Sequence, residues 1–344
     1  MIRSIFKRGL RQALFCAFAA APAAALAQAA NVQAELDALI KAAKAEGEVT
    51  IYSSATENII KRTGDAFAAK YGVKYTFIRM SGTLNIQRYS TEAESGVFAA
   101  DFLFNAGAAQ SFARESIKKG WVEPISEAGL PAVKSGQFPA KFVSGPTALI
   151  QIAPWSIMYN TALVRPADVP KDWTGLIDPK FKGKVLIPDP RSTDAHLDLW
   201  SLILDKYGEG FFTKLREMQP RQYGNAVQAA NGIAAGEGLL HTPAVGQTMQ
   251  SLKDKGAPVA IVTPDHTVGV EMQAILTHRS KAKHPNAARL FVNFVMTPEG
   301  NKIFNADPGS VSVYDTAALP KQYEPTKPET VLRKELITRL LGFQ

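Results

Sequence analysis

The sequence predicts an α/β protein with mostly parallel sheets flanked by helices, divided into two lobes. Three observations predict it. Between Val49 and Lys119 a strand pattern, a small polar loop and a helical pattern alternate three times, which is the order of a parallel sheet with covering helices. Four or five strands along the chain end in small polar or hydroxyl residues. The roughly 320 residues left after an export segment exceed a typical single core, so two lobes are expected.

The first 27 residues read as that export segment. Arg3, Lys7, Arg8 and Arg11 form a basic start, Leu14 to Ala21 a short apolar core, and Ala25-Leu26-Ala27 a small-x-small cleavage site. The mature chain is therefore expected to begin at Gln28. The apolar run is too short to span a bilayer. Arg8 and Arg11 are not adjacent, so the twin-arginine signal is absent. Cys16 is the one cysteine, and Phe15 before it argues against lipid anchoring. The mature chain is then expected to lack any thiol for a disulfide, a nucleophile or a metal.

The elements follow in order. Leu36, Leu39 and Ile40 put an apolar face on a helix from Val32 to Ala45, which Gly47 stops. Val49 to Tyr52 is a strand, and Ser53 to Glu57 a polar loop. Ile59, Ile60, Thr63, Phe67 and Tyr71 are periodic over a helix that Gly72 ends. Val73 to Ile78 is the second strand, followed by Ser81-Gly82-Thr83 and a helix to Ser95. Asp101 to Phe104 is the third strand, followed by Asn105-Ala106-Gly107 and a helix to Lys119. Pro124 to Pro146 reads as loops with short helical pieces. Ala148 to Ile152 and Ile157 to Tyr159 are strands around Pro154-Trp155, and Pro166 to Phe181 is a Pro-rich connection.

The stretch from Lys184 to Trp200 is the most informative. Val185-Leu186-Ile187 is a buried strand that Pro188-Asp189-Pro190 must end. Arg191, Ser192, Thr193 and Asp194 then lead into a helix with Leu197, Trp200 and Ile203 on one face. A helix start offers free N–H groups and partial positive charge, so with Arg191 and two hydroxyls it suits an anion. A capped helix with a solvated Arg191 is the plainer alternative. A helix from Gly208 to Met218, another from Gly224 to Gly236, a strand at Leu239-Leu240 ending in His241-Thr242-Pro243, and a helix from Val245 to Lys255 follow. Val259 to Val262 is a strand, His284 to Met296 and the short run after Thr297 are helices, and Thr330 to Leu341 is a terminal helix.

Charge and motifs exclude several classes. The formal charge of +8 includes four basic residues in the export segment, so about +4 would remain. No Lys/Arg run with interleaved aromatics points to nucleic acid. There is no G-x-S-x-G elbow and no H-E-x-x-H helix. Ser54, His196 or His241, and Asp194 make a hydrolytic triad only on paper. Trp121, Trp173 and Trp200 sit in apolar contexts and are expected in cores, while Trp155 is either a cleft wall or interlobe packing. His278 and His284 fall in a basic stretch expected to be solvated, and Arg79 and Arg88 flank the Ser81 loop. His266 and Tyr223 are weaker cleft candidates.

In open α/β sheets ligands bind beyond the carboxyl ends of the strands. Ser53-Ser54, Ser81-Gly82-Thr83, Asn105, Arg191-Ser192-Thr193 and His241-Thr242 together suggest a hydrogen-bonding cleft. At this point the order of segments, with VTIYSSATE, AFAAKYGVK, SGTLNIQR, ADFLFNAG, KKGWVEPI, IMYNTALV, GLIDPKFKGKVLIPDPRST and HPNAARLFVNFVMTPEGN, resembles the periplasmic solute-binding proteins of ABC importers, in the branch with ferric-ion and organophosphonate binders. The resemblance implies the two-lobed periplasmic-binding-protein fold, with two crossing hinge strands near Ala148–Pro154 and Pro258–Pro264. It implies lobe 1 over 31–149 and 263–312, and lobe 2 over 150–262 and 313–344. It also implies a periplasmic monomer that is not an enzyme, delivering a small anionic solute to an inner-membrane ABC permease; no cofactor and no metal-ligating residue is assigned, and whether a metal bridges the solute stays open.

The expected ligand-binding residues are Ser54, Thr56, Ser81, Gly82, Thr83, Asn105, Trp155, Arg191, Ser192, Thr193, His241 and Thr242. Ferric-binding members of the branch bring adjacent tyrosines to the metal. The matching loops here, Arg191 to His196 and His241 to Ala244, contain none, so an organophosphate, phosphonate or carboxylate is favoured. A ferric-ion receptor using a bound anion is the first alternative, and an exported hydrolase the second. A receptor that presents its ligand to a signalling partner would use the same fold.

Overall fold

The computed structural model describes residues 28–344; the expected export segment, with Cys16, lies outside the described residues. Helix α1 covers 28–46. Strand β1 (Glu48–Ser53), helix α2 (Glu57–Tyr71), β2 (Lys74–Arg79), α3 (Gly82–Glu94), β3 (Phe102–Asn105) and α4 (Ala109–Lys118) follow. Short strand β4 (Val122–Glu123) and one-turn helix α5 (Pro131–Lys134) precede β5 (Ala148–Pro154) and β6 (Ser156–Asn160). Then come β7 (Val185–Pro188), α6 (Ala195–Glu217), β8 (Arg221–Tyr223), α7 (Ala226–Ala234), β9 (Leu240–Ala244), α8 (Gly246–Lys253) and β10 (Val259–Val262). The chain ends through β11 (His266–Thr267), β12 (Gly269–Thr277), α9 (Pro285–Val295), α10 (Pro298–Phe304), β13 (Gln322–Tyr323) and α11 (Lys334–Leu341).

Two sheets result. The first has the order β2-β1-β3-β12-β4, with β5 also on β12; the second has β10-β6-β9-β7-β8. β1 is parallel to β2 and β3, and β7 is parallel to β8 and β9. The strands next to the connections between sheets reverse this: β12 is antiparallel to β3, β4 and β5, and β6 to β9 and β10. Both sheets are therefore mixed, and the βαβ repeats occupy one end of each. Pairing of β5 with β12 runs through Pro154, five residues past the expected lobe limit at 149. The chain leaves the first sheet at Trp155 and returns over 263–268.

Both sheets are covered on both faces, so their inner strands lack alternation. On β3, Phe102 and Phe104 pack with Phe67, Phe291 and Phe294, while Leu103 packs opposite with Tyr52, Tyr89 and Ile275. In the second sheet Ile187 joins Trp173, Trp200 and Phe212, and Leu186 joins Met158, Ala230 and Ile233. Trp173 and Trp200 are fully buried, as expected of core residues. The positive φ of Gly208 breaks α6 where a second helix was expected to begin.

Three expectations change. His284 is not on a solvated face. It is buried at the start of α9, its N–H donates to Asp101 Oδ1 at 2.8 Å, and its ring nitrogen meets Oδ2 at 2.9 Å. Tyr223 does not reach the cleft, because its hydroxyl is bonded to Glu237 on the outside of the second sheet. His266 pairs instead with Glu324 at 2.6 Å, where β11 meets β13.

Candidate functional site

A cavity of about 150 Å³ lies between the two sheets. The loops after β1, β2 and β3 line it from one side, and the loops after β7 and β9 from the other. Parallel strands put their carboxyl ends, and the helices that follow, toward one edge, which is why five separate helix starts converge here: α2, α3, α6, α7 and α8.

Seven of the expected residues line this cavity: Ser54, Thr56, Ser81, Gly82, Trp155, Thr193 and His241. Ser54 Oγ accepts the Ala106 N–H at 3.0 Å and lies 3.6 Å from Met272 Sδ. Thr56 is the N-cap residue of α2, yet its hydroxyl makes no cap bond and is buried without a partner. Ser81 caps α3 by accepting the Leu84 N–H at 3.4 Å. Gly82 lets this helix start approach the next loop, since a Cβ there would sit 2.3 Å from the Ala106 carbonyl oxygen. Trp155 is buried, and its indole N–H has no acceptor.

Five expected residues are placed elsewhere. Asn105 is buried and bonds Ala106 and Asn85, holding the loop rather than facing the cavity. Thr83 Oγ accepts the Asp194 N–H at 3.2 Å, joining the two lobes beside the cavity. Ser192 Oγ donates to the Asp189 carbonyl at 2.7 Å, and buried Thr242 Oγ donates to the Ser156 carbonyl at 3.2 Å. Arg191 is taken by Asp189, two residues earlier, through contacts of 2.7 to 3.0 Å. It faces an outer hollow beside Lys334 and Arg339. Burial works against ionised Asp189, but this guanidinium and the Arg191 N–H hold its carboxyl below the usual range.

The cation that does line the cavity is Arg79, an exposed residue at the end of β2 that makes no ion pair among the described residues. Among the described residues no Asp, Glu or Tyr lines the cavity. His241 is kept neutral: burial lowers its pKa to about 4, and its Nδ1 lies 3.2 Å from the Leu186 carbonyl oxygen. Residues without a sequence signal complete the site. Gln151 and Gln247, from opposite sides, both donate to Ser310 Oγ, at 3.3 and 2.8 Å. Gln247 Oε1 is buried without a donor. Val270 and Met272 on β12 add apolar floor.

The paper triad does not assemble. Ser54 is bonded within its own lobe, Asp194 accepts Lys334 Nζ at 3.1 Å, and His196 is buried with its ring 5.5 Å from that of Trp155. Among the described residues no group of three or more His, Cys, Asp or Glu is disposed to hold a metal ion.

A smaller cavity of about 40 Å³ lies beside the first, lined by Asp198 of α6, Glu271 of β12 and the tail residues Thr326, Lys327 and Thr330. Glu271 accepts from Tyr323 Oη at 3.0 Å, Thr326 N at 3.2 Å and Thr326 Oγ at 2.9 Å. The tail thus straps a strand of the first sheet to a helix of the second.

Two sheets with strand ends facing each other across a cleft make the two-lobed type II periplasmic-binding-protein fold. The chain belongs to the bacterial extracellular solute-binding protein family, whose model matches residues 100–336. Family and fold are those of substrate-binding proteins, which places the chain outside the cytoplasm. No helix among the described residues is long and apolar enough to cross a membrane. A Haemophilus influenzae protein of unassigned function is 29% identical over 274 residues, 76% of each chain. Among solved structures, the periplasmic binding protein AfuA from Actinobacillus pleuropneumoniae, with fructose-6-phosphate bound, is 21% identical with a TM-score of 0.65, covering 86% of this chain and 97% of that one. Iron-bound HitA from Pseudomonas aeruginosa is 18% identical at 0.65, covering 86% and 99%. A substrate-binding protein of an ABC transporter from Agrobacterium tumefaciens is 16% identical at 0.70, covering 86% and 94%.

Proposed function

We propose that the chain is the periplasmic substrate-binding component of an ABC importer, capturing a small organic anion between its lobes and delivering it, as a monomer, to an inner-membrane permease. The anion would be an organophosphate, phosphonate or carboxylate. One observation carries this reading: among the described residues lining the cavity, Arg79 is the single charged group, and it faces no carboxylate. Five helix starts add partial positive charge on the same side of the balance. The site residues we assign are Arg79, Thr56, Ser81 and the N-termini of α2 and α3 for the charged end, with Thr193 and His241 opposite. AfuA, with its sugar phosphate, is consistent with this reading.

The ferric alternative has HitA in its favour. The donor set does not favour it, because ferric ion prefers anionic oxygen ligands and the lining offers hydroxyls, amides and a neutral imidazole. A bound anion would have to supply most of the coordination.

Thermal-shift measurements on metal-stripped protein separate the two. The panel is phosphate, phosphonates, sugar phosphates, di- and tricarboxylates, and ferric ion with bicarbonate. A melting-point rise with metal-free anions is expected, by mass action on the native state. A rise only with iron would overturn the anion reading. Arg79→Gln is expected to weaken the best anion by at least about tenfold, about 1.4 kcal/mol, in calorimetry.

A further inference from the structure

The cleft is polarised along the first sheet. Arg79 ends β2, an edge strand, and Ser81 follows it, while Val270 and Met272 lie on β12 and Ala153 on β5, beyond β1 and β3. With strands about 4.8 Å apart, the charged end and the far apolar floor are separated by roughly 14 Å across the sheet. The floor begins sooner than that, because Met272 Sδ is 3.6 Å from Ser54 Oγ at the end of β1. Trp155 closes the same end, buried, at the crossing between sheets. The opposite wall adds Ala195, Ala226, Pro243 and Ala244. Among the described residues, more than half of those lining the cavity are apolar and none carries a carboxylate.

Resting on the anion reading above, we infer that the solute is an organic anion with an apolar body and no ammonium group. A buried ammonium needs a countercharge or a cage of strong acceptors, and an unpaired buried charge is costly. The polar groups available at the body end are neutral and few: Gln247 Oε1, buried without a donor, the His241 ring nitrogen not engaged with Leu186, the Gln151 amide, and the Trp155 indole N–H, which has no acceptor. They suit a few hydroxyl or amide groups and no charge. A hexose body would bring further hydroxyls against Val270, Met272 and Ala153 and leave those unpaired, each costly on burial. An alkyl or aryl body would gain by covering that surface.

Calorimetry with matched phosphonates tests this on the wild-type protein. Propylphosphonate and phenylphosphonate are compared with 3-aminopropylphosphonate and with glucose 6-phosphate. The alkyl or aryl compound is expected to bind at least tenfold more tightly than either of the others. Equal or tighter binding of the amino compound or the sugar phosphate would overturn this inference while leaving the anion reading standing. Failure of every metal-free anion to bind would overturn both.

Discussion

Asp198 is a buried carboxylate at the seam between lobes, faced by Glu271 of β12, Asp194 of its own helix and Lys327 of the tail. Thr330 Oγ lies 2.6 Å from Asp198 Oδ1 and 2.9 Å from the Lys327 carbonyl oxygen. A hydroxyl has one proton to donate. If Thr330 gives it to the carbonyl, Asp198 must be the donor in the other bond, which requires the neutral acid. Burial points the same way, raising the Asp198 pKa to about 7 against the Thr330 hydrogen bond, with the charges of Glu271 and Asp194 adding to the rise. Since the folded value exceeds the unfolded one, the stability this group contributes is full below the ordinary carboxylate range, about pH 4, and is lost as pH rises through about 7. Asp198→Asn should therefore melt roughly 2 °C or more above wild type at pH 8, with the difference shrinking or reversing at pH 5. An equal difference at both pH values, measured by calorimetric melting, would show that Asp198 does not titrate in this range. At this scale the sequence is weakest as a guide. Arg191 precedes a helix start and looks like a ligand countercharge, yet Asp189, two residues before it, is a nearer partner. Arg79 carries the same charge with no such neighbour in its loop. Choosing between them needs the directions of side chains, which depend on φ/ψ in the loops and not on residue type.

Helix starts do the positioning, and α3 shows how tightly. Its first residue, Gly82, lies against the Ala106 carbonyl that ends the neighbouring β3 loop, so that a Cβ would be 2.3 Å from that oxygen. Because the contact is to backbone, nothing flexible can yield. Gly82→Ala is expected to cost about 1–3 kcal/mol of stability through overpacking and to weaken anion binding more than tenfold by moving Ser81 and the α3 N–H groups. Gly96→Ala serves as a contrast: its φ of 75° strains the backbone, but nothing lies within 4 Å and it is remote from the cleft, so affinity should hold while stability falls. Equal effects of the two on affinity, in calorimetry, would argue against a role for the close approach. Elements built from βαβ repeats were legible because helix stripes and apolar runs alternate in register with Gly72 and the Ser81 cap. β12 was not, although it is the hub of the first sheet. Its residues are almost wholly buried, yet Glu271 and Gln273 interrupt the run. Glu271 is tolerated only because Tyr323 and Thr326, more than fifty residues later, satisfy it. A buried polar residue whose partners are that distant leaves no local trace.

At the scale of the molecule, the sheets meet through the Trp155 crossing, the 263–268 return, the tail, and a few direct contacts beside the cleft. Gly107 approaches the Ala195 N–H so closely that a Cβ would be 3.2 Å away, and Thr83 accepts from Asp194. Gln247 of α8 and Gln151 of β5 share Ser310. These contacts exist only while the lobes are together, so any opening of the lobes would break them, and a ligand that prefers the closed form would shift such an equilibrium toward it. The general position of the cleft followed from strand ends alone, but closure contacts involve backbone N–H groups and glycine, which carry no side-chain signature. The Thr83–Asp194 contact gives the cleanest test, because Thr83 does not line the cavity. Thr83→Val keeps the shape and removes the acceptor. Loss of one hydrogen bond of about 1 kcal/mol should move the equilibrium toward open by roughly fivefold and weaken the best anion by a similar factor when the open form dominates. Small-angle scattering should show wild-type protein contracting on saturation with that anion, and the variant reaching the same compact state only at higher concentration. Unchanged affinity with unchanged scattering would mean that the lobes meet at this edge whether or not ligand is present, and would move the closing contacts to the Ser310 bridge.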